Sequence, residues 1–155
     1  MLKADPLRLQ ADLKQVYIRG NAELDLSDQE ASAFIEELNR HLAQDQLKLR
    51  ALDSLHWVLE SERPMELETH PWQPHVGKPM ANYLPKDPER YWERLFTEMQ
   101  MILHASAVNQ QRRREGKACV DALWFYSEPE RTMTFFQKVW TCLNRKFDAK
   151  KAPKP

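Results

Sequence analysis

WERLFTEMQMILHASAVNQQRRREGKACVDALWFY, residues 92 to 126, is the stretch on which the fold turns. Trp92, Leu95, Phe96, Met99, Ile102 and Leu103 recur every three or four residues, the spacing that places an apolar stripe on one side of a helix. Asp87-Pro88 supplies a cap residue followed by a proline suited to the first helical position, so this helix is expected to begin there and to reach about His104. Residues 105 to 117 continue as a short helix ending near Gly116. Val120 to Tyr126 then reads as a buried strand, broken by Ser127-Glu128-Pro129.

A polar set is threaded through this apolar pattern: Glu98, Gln100, His104, Asn109, Arg112 and Asp121. Glu98 flanks the buried stripe, where a charge persists only with a partner, and the expected partners are Arg112 or backbone N–H groups of the long loop. Together these residues form a candidate polar or ligand site, with structural pairing preferred over catalysis.

Working upstream, Leu7 to Arg19 alternates apolar and polar residues around Ala11-Asp12, the pattern of two short strands in a hairpin. Ser27-Asp28-Gln29-Glu30 is a capping box, and Ala31, Phe34, Ile35, Leu38 and Leu42 continue it as an amphipathic helix. Leu47 to Leu49 and Leu55 to Leu59 form two more strands, expected antiparallel, with Asp53-Ser54 between them. Residues 61 to 86 hold five prolines and little periodicity, so they read as a long surface loop. Downstream, an amphipathic helix is expected from about Pro129 to Phe147, before the tail DAKKAPKP. The expectation is an α+β fold: a mostly antiparallel sheet of about five strands with about three amphipathic helices, one domain over residues 1–148 and a flexible basic tail over 149–155.

The totals exclude several functions. Lys and Arg balance Asp and Glu at 23 each, so no overall field draws nucleic acid or an anionic membrane. Arg112-Arg113-Arg114 fits a solvated connection at a helix C-terminus better than an anion patch. The longest apolar run is Ala122 to Tyr126, too short for a membrane span, and MLKADPLRLQ lacks the apolar core of a signal peptide. A cytoplasmic location follows. Cys119 and Cys142 match no C-x-x-C pair and read as small hydrophobes of a reducing compartment.

Chemistry-bearing motifs are sparse. His70 and His75, with Glu66 and Glu68 nearby, match no established metal-ligand spacing, and neither a metal nor a cofactor is expected. There is no G-x-S-x-G, and three glycines cannot build a phosphate-cradling loop. Five tryptophans suggest instead a protein interface around the proline-rich loop, with Trp57, Trp72, His75, Tyr83 and Trp124 as candidate contacts.

In order and spacing, Glu98-x-Gln100-Met101, His104, Val108-Asn109-x-x-Arg112, Gly116 and Leu123-Trp124 resemble the bacterial regulatory proteins of the RpfE type. Members of that family are often named cofactor-independent phosphoglycerate mutase. Ala4-Asp5-Pro6, Leu38-Asn39, His56-Trp57-Val58-Leu59, Leu67-x-Thr69-x-Pro71, Val76-Gly77 and Leu84-Pro85 extend the resemblance upstream to residue 4. Cys119-Val120-Asp121 departs from the family's P-V-N, and Ser127-Glu128-Pro129 replaces its glycine run. Family members are also longer, and this chain resembles their central portion. The resemblance implies a regulatory role. The mutase name implies a phosphorylated substrate, two metal ions held by Asp and His clusters and a serine nucleophile, a set these residues do not supply. The expected function is therefore a non-enzymatic cytoplasmic regulatory or adaptor protein that binds a protein partner or a second copy of itself. The alternative is a phosphoglycerate-mutase-like enzyme or phospho-ligand sensor.

Overall fold

The computed structural model describes residues 1–128; the expected C-terminal helix and basic tail lie outside the described residues. The fold is α+β: a five-stranded antiparallel sheet with three helices. Strand β1 (Leu2–Ala11) is its organising element, because every other pairing either uses it or adjoins it. Leu2 and Lys3 pair with β4 (Trp57–Ser61), Lys3 to Leu7 with β5 (Ala122–Tyr126), and Arg8 to Ala11 with β2 (Val16–Gly20). Strand β3 (Leu47–Ala51) completes the sheet against β4.

Local chemistry accounts for most boundaries. Asp12 Oδ1 accepts the backbone N–H groups of Lys14 and Gln15, both at 2.8 Å, and closes the β1–β2 turn. Asp53 does the same for Leu55 and His56 in the β3–β4 turn. Helix α1 (Asp28–Leu42) starts on a complete capping box: Ser27 accepts from the Glu30 amide while the Glu30 carboxylate accepts from the Ser27 amide.

Helix α2 (Tyr91–Ala105) begins three residues later than Asp87-Pro88 suggests. Asp87 does accept the N–H groups of Tyr91 and Trp92, at 3.0 and 3.1 Å. Arg90, however, adopts a left-handed conformation with φ 56°, so the helical backbone cannot run back to the proline. Helix α3 (Ala107–Arg114) follows after Ser106, whose hydroxyl accepts the Val108 amide. Strand β5 starts at Ala122 rather than Val120, because Asp121 bonds sideways to β1 and Val120 is held by α3.

Two apolar clusters result. The larger gathers α1, α2 and one face of the sheet around Phe34, Leu38, Trp57, Leu59, Leu123 and Phe125. The smaller lies around Leu7, Ile18, Ala122, Trp124 and Tyr126, and the long loop packs on it through Trp72, Met80, Tyr83 and Leu84. Helix α2 touches both: Trp92 meets Phe125 edge-on at 5.5 Å, and Phe96 meets Trp124 at 6.0 Å. None of the described helices is long and apolar enough to cross a membrane.

Candidate functional site

The long loop covers the second cluster only in part. Where its cover ends, Leu9, Ala11 and Val16 of the hairpin face Gln100, Met101 and His104 of α2 across a cleft of about 570 Å³. Val120, Asp121, Cys119 and Arg113 line it from the α3 side.

Asp121 ties this cleft to β1. Its amide donates to the Leu7 carbonyl at 2.9 Å, and its Oδ2 accepts the Leu9 amide at 2.8 Å, so the side chain takes over where backbone pairing stops. Oδ1 has no protein partner among the described residues. Burial pushes the Asp121 carboxyl above its ordinary value of 3.8, against the Leu9 amide and the nearby Arg8, Arg113 and His104, which favour the anion. Arg113 is fixed on the rim: Nη2 donates to the His104 carbonyl at 3.0 Å, and Nη1 lies 3.9 Å from Cys119 Sγ.

Of the six polar residues expected together, Gln100, His104, Asn109 and Asp121 converge here. Asn109 is a joint rather than a free ligand, because its side chain is 1% exposed and fully engaged. Nδ2 donates to the carbonyls of Leu103 and Val120 at 2.7 and 2.8 Å, and Oδ1 accepts the Val120 amide at 3.0 Å. One amide thus fastens α2, α3 and the approach to β5.

The expected Glu98–Arg112 pair does not form. Glu98 is half exposed on the outer side of α2 and meets His41 at 3.1 Å. Arg112 is 1% exposed beneath α1. Its Nη1 reaches both Glu30 oxygens at 2.8 Å, Nε donates to the Ala118 carbonyl at 2.7 Å, and Nη2 donates to the Leu24 carbonyl. For Glu30, burial pushes the carboxyl up, but the Ser27 amide and Arg112 outweigh it and hold the carboxyl below its ordinary 4.5. The capping-box glutamate is therefore also the counter-ion of a buried arginine.

The proposed aromatic interface is largely core. Trp57 and Trp124 are fully buried, and their indole N–H groups donate to the carbonyls of Ser54 and His70. Trp72 is half buried, and its indole donates to Asp5 Oδ2 at 3.0 Å. His75 stacks on Tyr83 at 3.8 Å with its Nδ1 buried and unpaired, and burial, then Lys78 and His70, push its imidazole below the ordinary 6.5. These contacts fasten the loop.

Sequence reasoning missed Asp5 as the loop's anchor. Asp5 Oδ2 also accepts the Tyr126 hydroxyl at 2.8 Å, while burial pushes that phenol up to about 12. An acidic residue between Ala4 and Pro6 in a strand-forming stretch was the available signal. In the sequence Arg113 stands with Arg112 and His104 as a candidate for a phosphorylated ligand; three consecutive arginines look equivalent until the helix buries Arg112 and leaves Arg113 over the rim. Among the described residues, no group of three or more His, Cys, Asp or Glu side chains stands close enough to hold a metal ion.

No protein-family model and no curated protein matches this chain. Among solved structures, the cofactor-independent phosphoglycerate mutase from Thermoplasma acidophilum DSM 1728 is similar in fold, with a TM-score of 0.53 and 15% identity over 81% of this chain. This chain spans 36% of the length of that protein. At that identity the likeness is one of architecture.

Proposed function

We propose that this chain is a non-enzymatic regulatory or adaptor domain of a cytoplasmic bacterial assembly, related to the RpfE-type regulators, which docks a partner protein on the rim of the cleft. The observation that carries this reading is a pair of exposed apolar side chains. Met101, on α2, is 68% exposed at the edge of the cleft, and Leu13, in the β1–β2 turn, is fully exposed. Large apolar side chains held in water fit a contact surface. The residues that order the region, Asn109 and Arg112, are spent on internal bonds and leave binding as the available role.

A photo-crosslinking amino acid at position 101 tests this in the producing cell. One dominant adduct, identified by mass spectrometry and lost in Leu13→Glu, is the expected result. Absence of any adduct, together with a monomer at all concentrations by ultracentrifugation, removes both the partner and the self-association forms.

The second reading is a phosphoglycerate-mutase-like enzyme or phospho-ligand sensor, and the fold likeness favours it. A phosphate needs open cations. Arg112 is sealed against Glu30, and the remaining pair, Arg113 and His104, shares the cleft with the Asp121 carboxylate. Turnover of 3-phosphoglycerate with a divalent metal, or a saturable thermal shift with 3-phosphoglycerate, would establish this alternative.

A further inference from the structure

We infer that the cleft binds a small amphipathic zwitterion of the apolar α-amino-acid type, its ammonium on Asp121 Oδ1 and its carboxylate on the Arg113 guanidinium. This goes beyond the docking role of the rim, with which it shares Met101 alone.

Charge balance is the first argument. Among the described residues the cleft is lined by one carboxylate, with an oxygen that has no partner there, and by one guanidinium, whose position is set by the His104 carbonyl. A ligand of a single charge sign satisfies one of these groups and is repelled by the other. A phosphate monoester would place two negative charges beside Asp121; a simple amine would leave Arg113 facing a cation. A zwitterion meets both, and charge-assisted hydrogen bonds at both ends fix its orientation.

Shape and polarity supply the second argument. Leu9, Val16, Met101 and Val120 form apolar walls, and Gln100 adds a side-chain amide. A volume of about 570 Å³ falls in the range of small-molecule sites, which combine apolar walls with a few placed polar groups. Desolvation is the third: burial already raises the Asp121 carboxyl, so a bound ammonium relieves a cost present in the empty protein. Asp121 is also held in place before binding by the Leu9 amide, which limits the ordering cost of recognition.

The test is a titration of the full chain followed by amide NMR, with leucine, methionine and phenylalanine as probes. Isoamylamine, 4-methylpentanoate and inorganic phosphate serve as single-charge controls. The expected result is saturable shifts at Leu9, Arg113 and Asp121 with at least one amino acid. The matched single-charge analogues should bind about tenfold or more weakly, the scale of one lost charged contact. Asp121→Asn keeps an oxygen for the Leu9 amide and should lose amino-acid binding about tenfold with a folded spectrum; Arg113→Gln, at an exposed position, should do the same. Leu13→Glu should abolish a crosslinked partner while leaving the titration unchanged, which separates this inference from the docking role of the rim. No saturable shift with any of the three amino acids overturns it, as does equal binding by a single-charge analogue or retained affinity in both variants.

Discussion

Asp5 and Asp121 occupy neighbouring regions of the same sheet and end in opposite situations. Asp5 lies under the long loop, where Trp72 and Tyr126 donate to one of its oxygens, and it is fully buried. Asp121 lies where the loop no longer reaches, bonded to the Leu9 amide, its other oxygen without a partner among the described residues. Under the strap the second Asp5 oxygen is buried and without a partner among the described residues, whereas the open half keeps a carboxylate, a guanidinium and an apolar wall in reach of a ligand. What separates the two is access to solvent: a carboxylate closed over by its donors fastens the loop, and one left open on the cleft belongs to the proposed binding surface.

Arg112→Met should produce the largest effect, because it strands the Glu30 carboxylate and two buried carbonyls. A loss of about 3–5 kcal/mol in urea unfolding at neutral pH is expected for breaking such a pair. A loss below about 1 kcal/mol would move Arg112 from the fasteners to the dispensable charges. The pair also sets an acid limit. The folded-state carboxyl of Glu30 lies below its ordinary 4.5, so its stabilisation is complete above 4.5 and disappears as pH falls through the lowered folded value. Glu30→Gln should flatten that part of the stability profile.

Trp72→Phe tests the strap. It removes one of the two donors to Asp5 and should cost about 1–3 kcal/mol, the penalty for leaving a buried acceptor short. Gly20→Ala attacks the same contact from below: a Cβ would stand 2.9 Å from the Trp72 ring, at a backbone φ of 84°. A comparable loss in both variants, with tryptophan fluorescence shifting toward that of exposed indole in Gly20→Ala, would confirm that the indole seats on the glycine.

Asp121→Asn should have a smaller effect of opposite sign. A carboxyl whose folded pKa is raised contributes fully to stability below its unfolded value of 3.8, and that contribution is lost as pH rises through the folded value. The asparagine variant should therefore match or slightly exceed the wild-type melting temperature at neutral pH, with the advantage vanishing in acid. A large loss at neutral pH would place Asp121 among the fasteners and erase the contrast with Asp5. Smallest of all, Glu98→Gln should change stability by no more than about 1 kcal/mol, since its pair with His41 is solvent-exposed on both sides.

Features written in short-range chemistry were legible. The capping box at Ser27, the Asp12 and Asp53 turns and the apolar stripe of α2 depend on residues within a few positions of one another. The architecture follows from such elements, so the α+β class and the antiparallel strands could be read directly. The start of α2 was not legible, because the left-handed Arg90 breaks a cap-and-proline pattern that otherwise looks sufficient. Partner choice was less legible still. Arg112 chooses Glu30, 82 residues away, over Glu98, because α3 packs beneath the first turn of α1. Trp57 and Trp124 looked like interface anchors because composition alone cannot tell an indole that fills a core from one that faces a partner.

Strand β1 carries a consequence for biosynthesis. The ribosome delivers it long before its longest partner: Lys3 pairs with Tyr126, and the Asp5 anchor needs Trp72 and Tyr126 to be sealed. Until β5 emerges, a strand whose first half is buried in the finished fold must wait with an open backbone edge, guarded mainly by the local β2 hairpin. Substitutions that weaken that hairpin should thus lower the yield of folded protein from a cell more than they lower the stability of the finished molecule.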